Sequence, residues 1–292
     1  IPWDWRVSLY TWTKGIASGV YLVACLLVLL GLIDDSNSIW LWATPVISGA
    51  FLALTGGLLL WDLEHPDRFY LIFTRPQWRS WLVKGAFIIA GYTLVLLLHF
   101  IASWLGWRSF QTRLMIVGIP LSIMTAVYTA YLFAQAKARD MWQNPLLPPH
   151  LFFQSLLLGS AVLLPLVVWL GGTLKSDTAF GFMNTVRPEL MLLLWALVIF
   201  GLIHLLMVWG EVSLTHPTAH ARLAIWEMVQ GRYKNDFWIG IILSALGVLL
   251  PLFAVMGIFD ASLGVAATPL ALIGLMLFES AYVQAGQSVP LA

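Results

Sequence analysis

Long apolar runs separated by short polar stretches dominate the chain. Eight of them, at 15–33, 42–61, 82–103, 114–134, 151–170, 190–209, 237–256 and 263–278, approach the roughly 20 residues that a helix needs to cross a hydrocarbon core about 30 Å thick. Inside lipid every backbone N–H must find its partner within the structure, so only helices and closed barrels can span. Unbroken apolar stretches such as 94–98 lack the alternation of a barrel strand. The pattern therefore predicts an all-α integral membrane protein of eight transmembrane helices. Trp40, Trp42, Trp61, Trp78, Trp81, Trp104, Trp107, Trp142 and Trp238 gather at the segment ends, where tryptophan rings seat at the headgroup level. Gly15 and Gly19 in the first segment, with Gly56 and Gly57 in the second, read as points of close helix approach.

Composition strengthens this reading. Of 292 residues, 60% are hydrophobic and 10% charged, far below the roughly 25% charged residues of soluble domains. A net charge of +1 offers no basic face for nucleic acid. The single cysteine, Cys25, excludes an internal disulfide, a cysteine-ligated iron–sulfur cluster and a zinc–thiolate site, so an electron-carrying metal belongs to another chain. The sequence opens on Ile1 without a basic, cleavable leader pattern, which reads as a trimmed start.

Eight spans put both chain ends on one side, called here the even side. Arg6, Lys14, Arg68, Arg75, Arg79, Lys84, Lys137, Arg139, Arg222, Arg232 and Lys234 fall there, against Arg108, Arg113, Lys175 and Arg187 opposite. The positive-inside rule then makes the even side, with both termini, cytoplasmic; a basic face for an acidic partner is the other reading of the same bias. The two longest connections, 62–81 and 211–236, both lie on the even side. Each follows a Trp with an acidic residue, then His-Pro (His65-Pro66, His216-Pro217), then Arg (Arg68, Arg222). Four helices apart, they suggest two four-helix bundles, 1–142 and 143–292, in one membrane domain.

Ionisable groups in or beside spans are costly and need a reason. Asp62, Glu64 and His65 follow the second span; Trp12 and Lys14 precede the first; Tyr128 stands about 9 Å inside the end of the fourth at 1.5 Å per residue, followed by Tyr131 and Gln135. His204 and Glu211, seven residues apart, share a face of the sixth span, and Glu279 ends the eighth. The opposite side has little beyond His99. This asymmetry suits an amphipathic ligand with an apolar body and one polar end met by donors and a proton-accepting carboxylate, as a quinone is. Plainer readings stand beside it: an Asp62–Arg68 salt bridge, a satisfied core tyrosine at 128, a packing histidine at 204, and surface charges at Glu64, Asp67 and Glu279. An embedded haem would need two imidazoles facing each other at one depth, whereas His99 and His204 lie toward opposite boundaries and His65, His150, His216 and His220 read as boundary or loop residues.

Four stretches, WDLEHPDRFYLIFTRPQWRSWLVKG at 61–85, YTAYLFAQAKARDMW at 128–142, LPPHLFFQSLLLGSA at 147–161 and FWIGIILSALGVLLPL at 237–252, together with YTWTKGIASGVYL in the first span, resemble the NrfD-like, or polysulfide reductase membrane subunit, family over nearly the whole chain. The resemblance implies a quinone-interacting anchor in a prokaryotic plasma membrane that holds no metal or covalent cofactor. It exchanges electrons between ubiquinone or menaquinone and a ferredoxin-like [4Fe–4S] subunit, itself joined to a molybdopterin-type catalytic subunit or a multihaem cytochrome. Carried over by motif, Asp62, His65 and Arg68 border the quinone head and Tyr128 donates to a quinone carbonyl, with Asp62, His65 and Tyr128 in the catalytic role. At the start of the first helix, where the family has His and Asn, this chain has Trp12, Thr13 and Lys14, of which Trp12 and Lys14 join the quinone-binding set. Glu64 stands where the family has Gly. Two other functions fit the pattern: coupled proton translocation along His204, Glu211 and His99, and secondary transport of a small solute or ion, which the absence of charged ligands at the bilayer centre disfavours.

Overall fold

The computed structural model describes residues 3–63, 65–171 and 186–290; Glu64 and Lys175 lie outside them. The eight expected spans are present as helices long and apolar enough to cross a membrane. They are labelled α1 (Trp5–Leu29), α2 (Ile39–Trp61, opening on a π-helical turn), α3 (Trp81–Leu105), α4 (Arg108–Ala134), α5 (Leu147–Gly171), α6 (Pro188–Ser213), α7 (Lys234–Val255) and α8 (Ala261–Ser288).

Several boundaries move outward from the hydropathy reading, each for a local reason. Helix α1 begins at Trp5, ten residues before position 15, because the Asp4 carboxylate caps it by accepting from the Arg6 N–H. Its first turns carry the polar residues Ser8, Tyr10, Thr11 and Lys14, which lower the hydropathy yet are buried against neighbouring helices. Helix α5 begins at Leu147 rather than 151, since Pro148 and Pro149 occupy the first turn, where a missing N–H costs nothing. Helix α8 runs on to Ser288, ten residues past 278. The internal prolines Pro120, Pro165, Pro251 and Pro269 are tolerated in membrane helices, whose neighbours satisfy the freed carbonyls.

Helix α1 packs on α2 and α4, with α3 joining α2 to α4; α5 packs on α6 and α8, with α7 joining α6 to α8. The two sets meet chiefly where α1 crosses α5. There Gly19 and Gly159 face each other so closely that a Cβ built on Gly19 falls 1.8 Å from the Ser155 carbonyl oxygen, and one on Gly159 falls 2.2 Å from the Gly19 backbone. Gly15 likewise lies against Leu158. Gly56 and Gly57, expected at a close crossing, have nothing within 4 Å of an added Cβ and serve no such contact. Of the tryptophans read as interfacial anchors, Trp61, Trp78, Trp104, Trp107 and Trp238 are exposed, whereas Trp40 and Trp142 are buried in the core, Trp40 against His99 and Trp142 in a three-ring cluster with Trp3 and Phe133.

The first and last described residues meet at the even end, where the Trp3 N–H donates to Gln287 Oε1 at 3.0 Å. Two connections at this end carry short helices: a single turn at Leu71–Thr74 after α2, and Ala219–Val229 after α6, capped by Thr218.

Candidate functional site

The even-side ends of α1 to α4 enclose a cavity of about 200 Å³, lined mainly by aliphatic and aromatic side chains, with Arg6, Tyr10 and Asp62 as its polar wall. An apolar cavity of about 150 Å³ holds a benzene ring, so the space suits a single substituted ring. Asp62 follows the last turn of α2, its backbone N–H closing onto the Leu58 carbonyl, and its side chain is 17% exposed. Arg6, the second residue of α1, reaches Asp62 at 3.6 Å while its Nε binds Asp4 at 2.8 Å and its Nη1 donates to the Trp61 carbonyl. Burial pushes the Asp62 carboxyl above the ordinary carboxylate range; the Arg6 guanidinium pulls it back and the Asp4 charge pushes it further up. Asp4 itself is held below its usual range, chiefly by the hydrogen bond from Arg6.

Tyr10 links this wall to the interior. Its hydroxyl donates to the Tyr128 hydroxyl at 2.9 Å and lies 2.6 Å from Thr129 Oγ1. Lys14, one turn further along the same face of α1, donates to Thr129 Oγ1 and to the Ala126 carbonyl at 3.0 Å. Since a hydroxyl donates once, the donors run in one direction: Lys14 to Thr129, Thr129 to Tyr10, Tyr10 to Tyr128. The Lys14 ammonium is 1% exposed and also lies 5.1 Å from the Tyr128 ring centre, a cation–π distance. Tyr10, which lies outside the first span as read from hydropathy, therefore shares the cavity with Asp62 and bonds Tyr128.

A second buried polar group occupies the even side of α5, α6 and α8. His150 Nδ1 is 2.9 Å from Glu211 Oε1 and its Nε2 is 2.8 Å from His204 Nδ1; Gln154 Nε2 approaches the same Nε2 at 3.2 Å. The shared face expected of His204 and Glu211 is the one that meets His150. His150, read as a boundary or loop residue, is instead 1% exposed inside α5, and Glu279, read as a surface charge, is 4% exposed inside α8. Glu279 interacts electrostatically with Lys14, His150 and Glu211, so it joins the two polar groups. The two imidazoles do face each other at one depth. They sit at hydrogen-bond distance, too close for an iron between them, and no group of three or more His, Cys, Asp or Glu with metal-ligand spacing occurs among the described residues.

The remaining candidates lie elsewhere. His65 and Arg68 are exposed on the turn that follows α2 and do not line the cavity; Arg68 stands 4.0 Å from Asp67 and not beside Asp62. Asp67 is exposed, as read from the sequence. Trp12 points to α8, donating to the Leu272 carbonyl at 3.0 Å. His99 is buried toward the opposite end, its Nε2 2.9 Å from the Trp40 carbonyl, with no hydrogen bond joining it to His150 or His204 among the described residues. Tyr10 and His150 were the residues that sequence reasoning missed. Their signal was the recurrence of polar side chains at i and i+4, Tyr10 with Lys14 and His150 with Gln154, continuing the apolar runs toward the even side.

The fold and the inward-turned polar side chains define a multi-pass membrane protein that gathers ionisable groups near one of its two faces. The profile of the family described as polysulphide reductase, NrfD matches residues 1–290, and the chain belongs to that family. It is similar to the Protein NrfD homolog of Haemophilus influenzae, 23% identical over 89% of this chain and 85% of the relative. Protein NrfD of Escherichia coli is 22% identical over 98% of this chain and 95% of its own length. A selenate reductase subunit of Mesobacillus selenatarsenatis is 24% identical over 87% of this chain and 66% of its own length.

Proposed function

We propose that this chain is the quinone-reactive membrane subunit of a multi-subunit oxidoreductase, with the quinone head group seated in the cavity between α1, α2, α3 and α4. The observation that carries the reading is the polar wall of that cavity: a half-buried carboxylate, Asp62, with Arg6 and Tyr10 beside it on a surface otherwise apolar. A quinol presents two hydroxyls on an apolar ring, so one wall serves as acceptor and the other as hydrogen-bond partner while the ring rests on leucine and phenylalanine side chains. Membership of the NrfD family and the subunit naming of the selenate reductase relative support a place in such a complex.

In this reading quinol oxidation releases its electrons to an iron–sulfur subunit docked on the even face, and Asp62 takes a proton. Tyr10 touches the head group and Tyr128 positions it through their shared hydrogen bond. His65 and Arg68, exposed on the neighbouring turn, belong to the rim or to the partner's docking surface. The positive residues of the even-side connections support a cytoplasmic position for that face.

The test uses the assembled complex in native membranes. Asp62→Asn and Tyr10→Phe are each expected to lower quinol-dependent electron transfer by about 100-fold, the lower range for loss of a proton-transfer group, while the subunits still copurify. Tyr128→Phe is expected to weaken quinone-analogue binding more than it slows turnover at saturating quinol. Near-normal turnover in both Asp62→Asn and Tyr10→Phe removes the site from this cavity.

A further inference from the structure

Oxidation of a quinol frees two protons, and the cavity offers them unequal surroundings. A proton taken by Asp62 reaches water directly, because that side chain is partly exposed. The hydroxyl that faces Tyr10 meets a buried chain with no water-exposed member in its line, Tyr10 to Thr129 to Lys14. The second polar group has an outlet. Glu211 forms part of the wall of a separate cavity of about 460 Å³, bounded by the connection before α5 and by residues 214–218 after α6, at the even end.

Hydrogen-bond logic fixes the protons in this group. The Gln154 amide donates to His150 Nε2, so His150 carries its proton on Nδ1 and donates it to Glu211 Oε1, while His204 Nδ1–H donates to His150 Nε2. Three buried acceptors of the group are then left without a partner among the described residues, Gln154 Oε1, His204 Nε2 and Glu211 Oε2, of which the imidazole nitrogen and the carboxylate oxygen are basic enough to hold a proton. Each of these two can receive a proton without breaking a bond already made. The charged and titratable groups facing the cluster are Glu279 and Tyr282 from α8, Lys14 from α1, and His216, whose Nε2 lies 2.9 Å from the Glu211 carbonyl.

Resting on the quinone reading above, we propose that His150, His204 and Glu211 form the terminal of a second proton exit, which holds the proton that leaves by way of Tyr10 and Lys14 and delivers it through Glu211 to the vestibule on the even face. Over one passage a quinol O–H bond breaks and an O–H bond to vestibule water forms: Lys14 gives a proton toward Glu279, whose charge acts on both Lys14 and His150, and is refilled by Thr129, Thr129 by Tyr10 and Tyr10 by the quinol, so the hydrogen bonds of this chain reverse their resting direction and turn back before the next passage. The electrons go to the iron–sulfur partner. Both exits open on the same face, and His99, at the far end and bonded to Trp40, takes no part. By these two exits protons leave without crossing the membrane.

Glu211→Gln and His150→Gln, in membranes holding the assembled complex, test this. Both variants are expected to slow saturated quinol oxidation at least tenfold, below the typical range for a proton-transfer group because the Asp62 exit stays open. The solvent deuterium isotope effect should rise above that of the parent, and a quinone-analogue inhibitor should bind with unchanged Kd. Added imidazole, small enough for the vestibule, is expected to recover part of the rate of His150→Gln. Parent-like rates in both variants overturn the exit, as does a loss of rate matched by an equal loss of inhibitor affinity, which marks a structural role. Near-normal turnover in Asp62→Asn and Tyr10→Phe instead overturns the quinone site, a result separable from either.

Discussion

Arg6 holds its guanidinium between two carboxylates, tightly on Asp4 and more loosely on Asp62. It is the positive charge that offsets the effect of burial on Asp62. Removing it leaves desolvation and the Asp4 charge, both of which favour the neutral acid. Arg6→Gln should therefore move the acidic limb of the pH–rate profile for quinol oxidation to higher pH, since Asp62 must be ionised to accept a proton; a shift toward lower pH, or none, separates Asp62 from that limb. The sequence made Asp62 and Tyr128 legible as costly polar groups beside apolar runs. It did not reveal that Arg6 rather than Arg68 is the partner of Asp62, because pairing between α1 and α2 is a tertiary fact that no spacing along one segment encodes. Tyr10 and His150 were hidden for a related reason. Each sits within the first two turns of its helix, where polar or proline residues depress hydropathy yet neighbouring helices bury the side chain. Glu279 was misjudged because a charge near a span end reads as solvated until the helices flanking it are known.

Helix α1 touches both sets of helices, and its crossing with α5 depends on two residues without side chains. Gly19→Ala places a methyl on the Ser155 carbonyl, which only separation of the two backbones can relieve. Overpacking of this kind costs roughly 1–3 kcal/mol, so the variant should melt at a lower temperature in detergent. Gly56→Ala, with open space at its Cβ and the better helix propensity of alanine, should melt no lower than the parent. Equal destabilisation by both would show that the α1–α5 contact is not the reason for Gly19. At this scale the eight helices were readable from periodicity and length alone, because spanning a bilayer imposes both. Which glycines meet was not, since Gly15 and Gly19 resemble Gly56 and Gly57 in every local respect.

For the molecule as a whole, the separation into two ends can be read with thiol chemistry. Cys25 is 1% exposed, so a membrane-impermeant maleimide should leave the parent chain unlabelled. Asp67→Cys and Thr215→Cys, on even-side connections, should label from one side of sealed vesicles, and Phe259→Cys, between α7 and α8, only from the other. Labelling of Asp67→Cys and Thr215→Cys from opposite sides would break the arrangement of all eight spans. The number of spans and the shared side of the two long connections followed from the sequence, whereas the joining of the two polar groups through Lys14 and Glu279 needed the packing of α1 against α8. That shallow placement has an electrical consequence. His150 lies three residues into α5 and Tyr10 five into α1, about 4.5 and 7.5 Å along their helices at 1.5 Å per residue. A full crossing against 100 mV changes a charge's energy by about 2.3 kcal/mol; Lys14, His204 and Glu279 lie deeper, each nine residues from the even end of its helix, about 13.5 Å at 1.5 Å per residue, so a movement among all these groups feels at most about 1 kcal/mol. On the quinone reading, an energised membrane should brake proton release from this site by less than half of what a full crossing would cost.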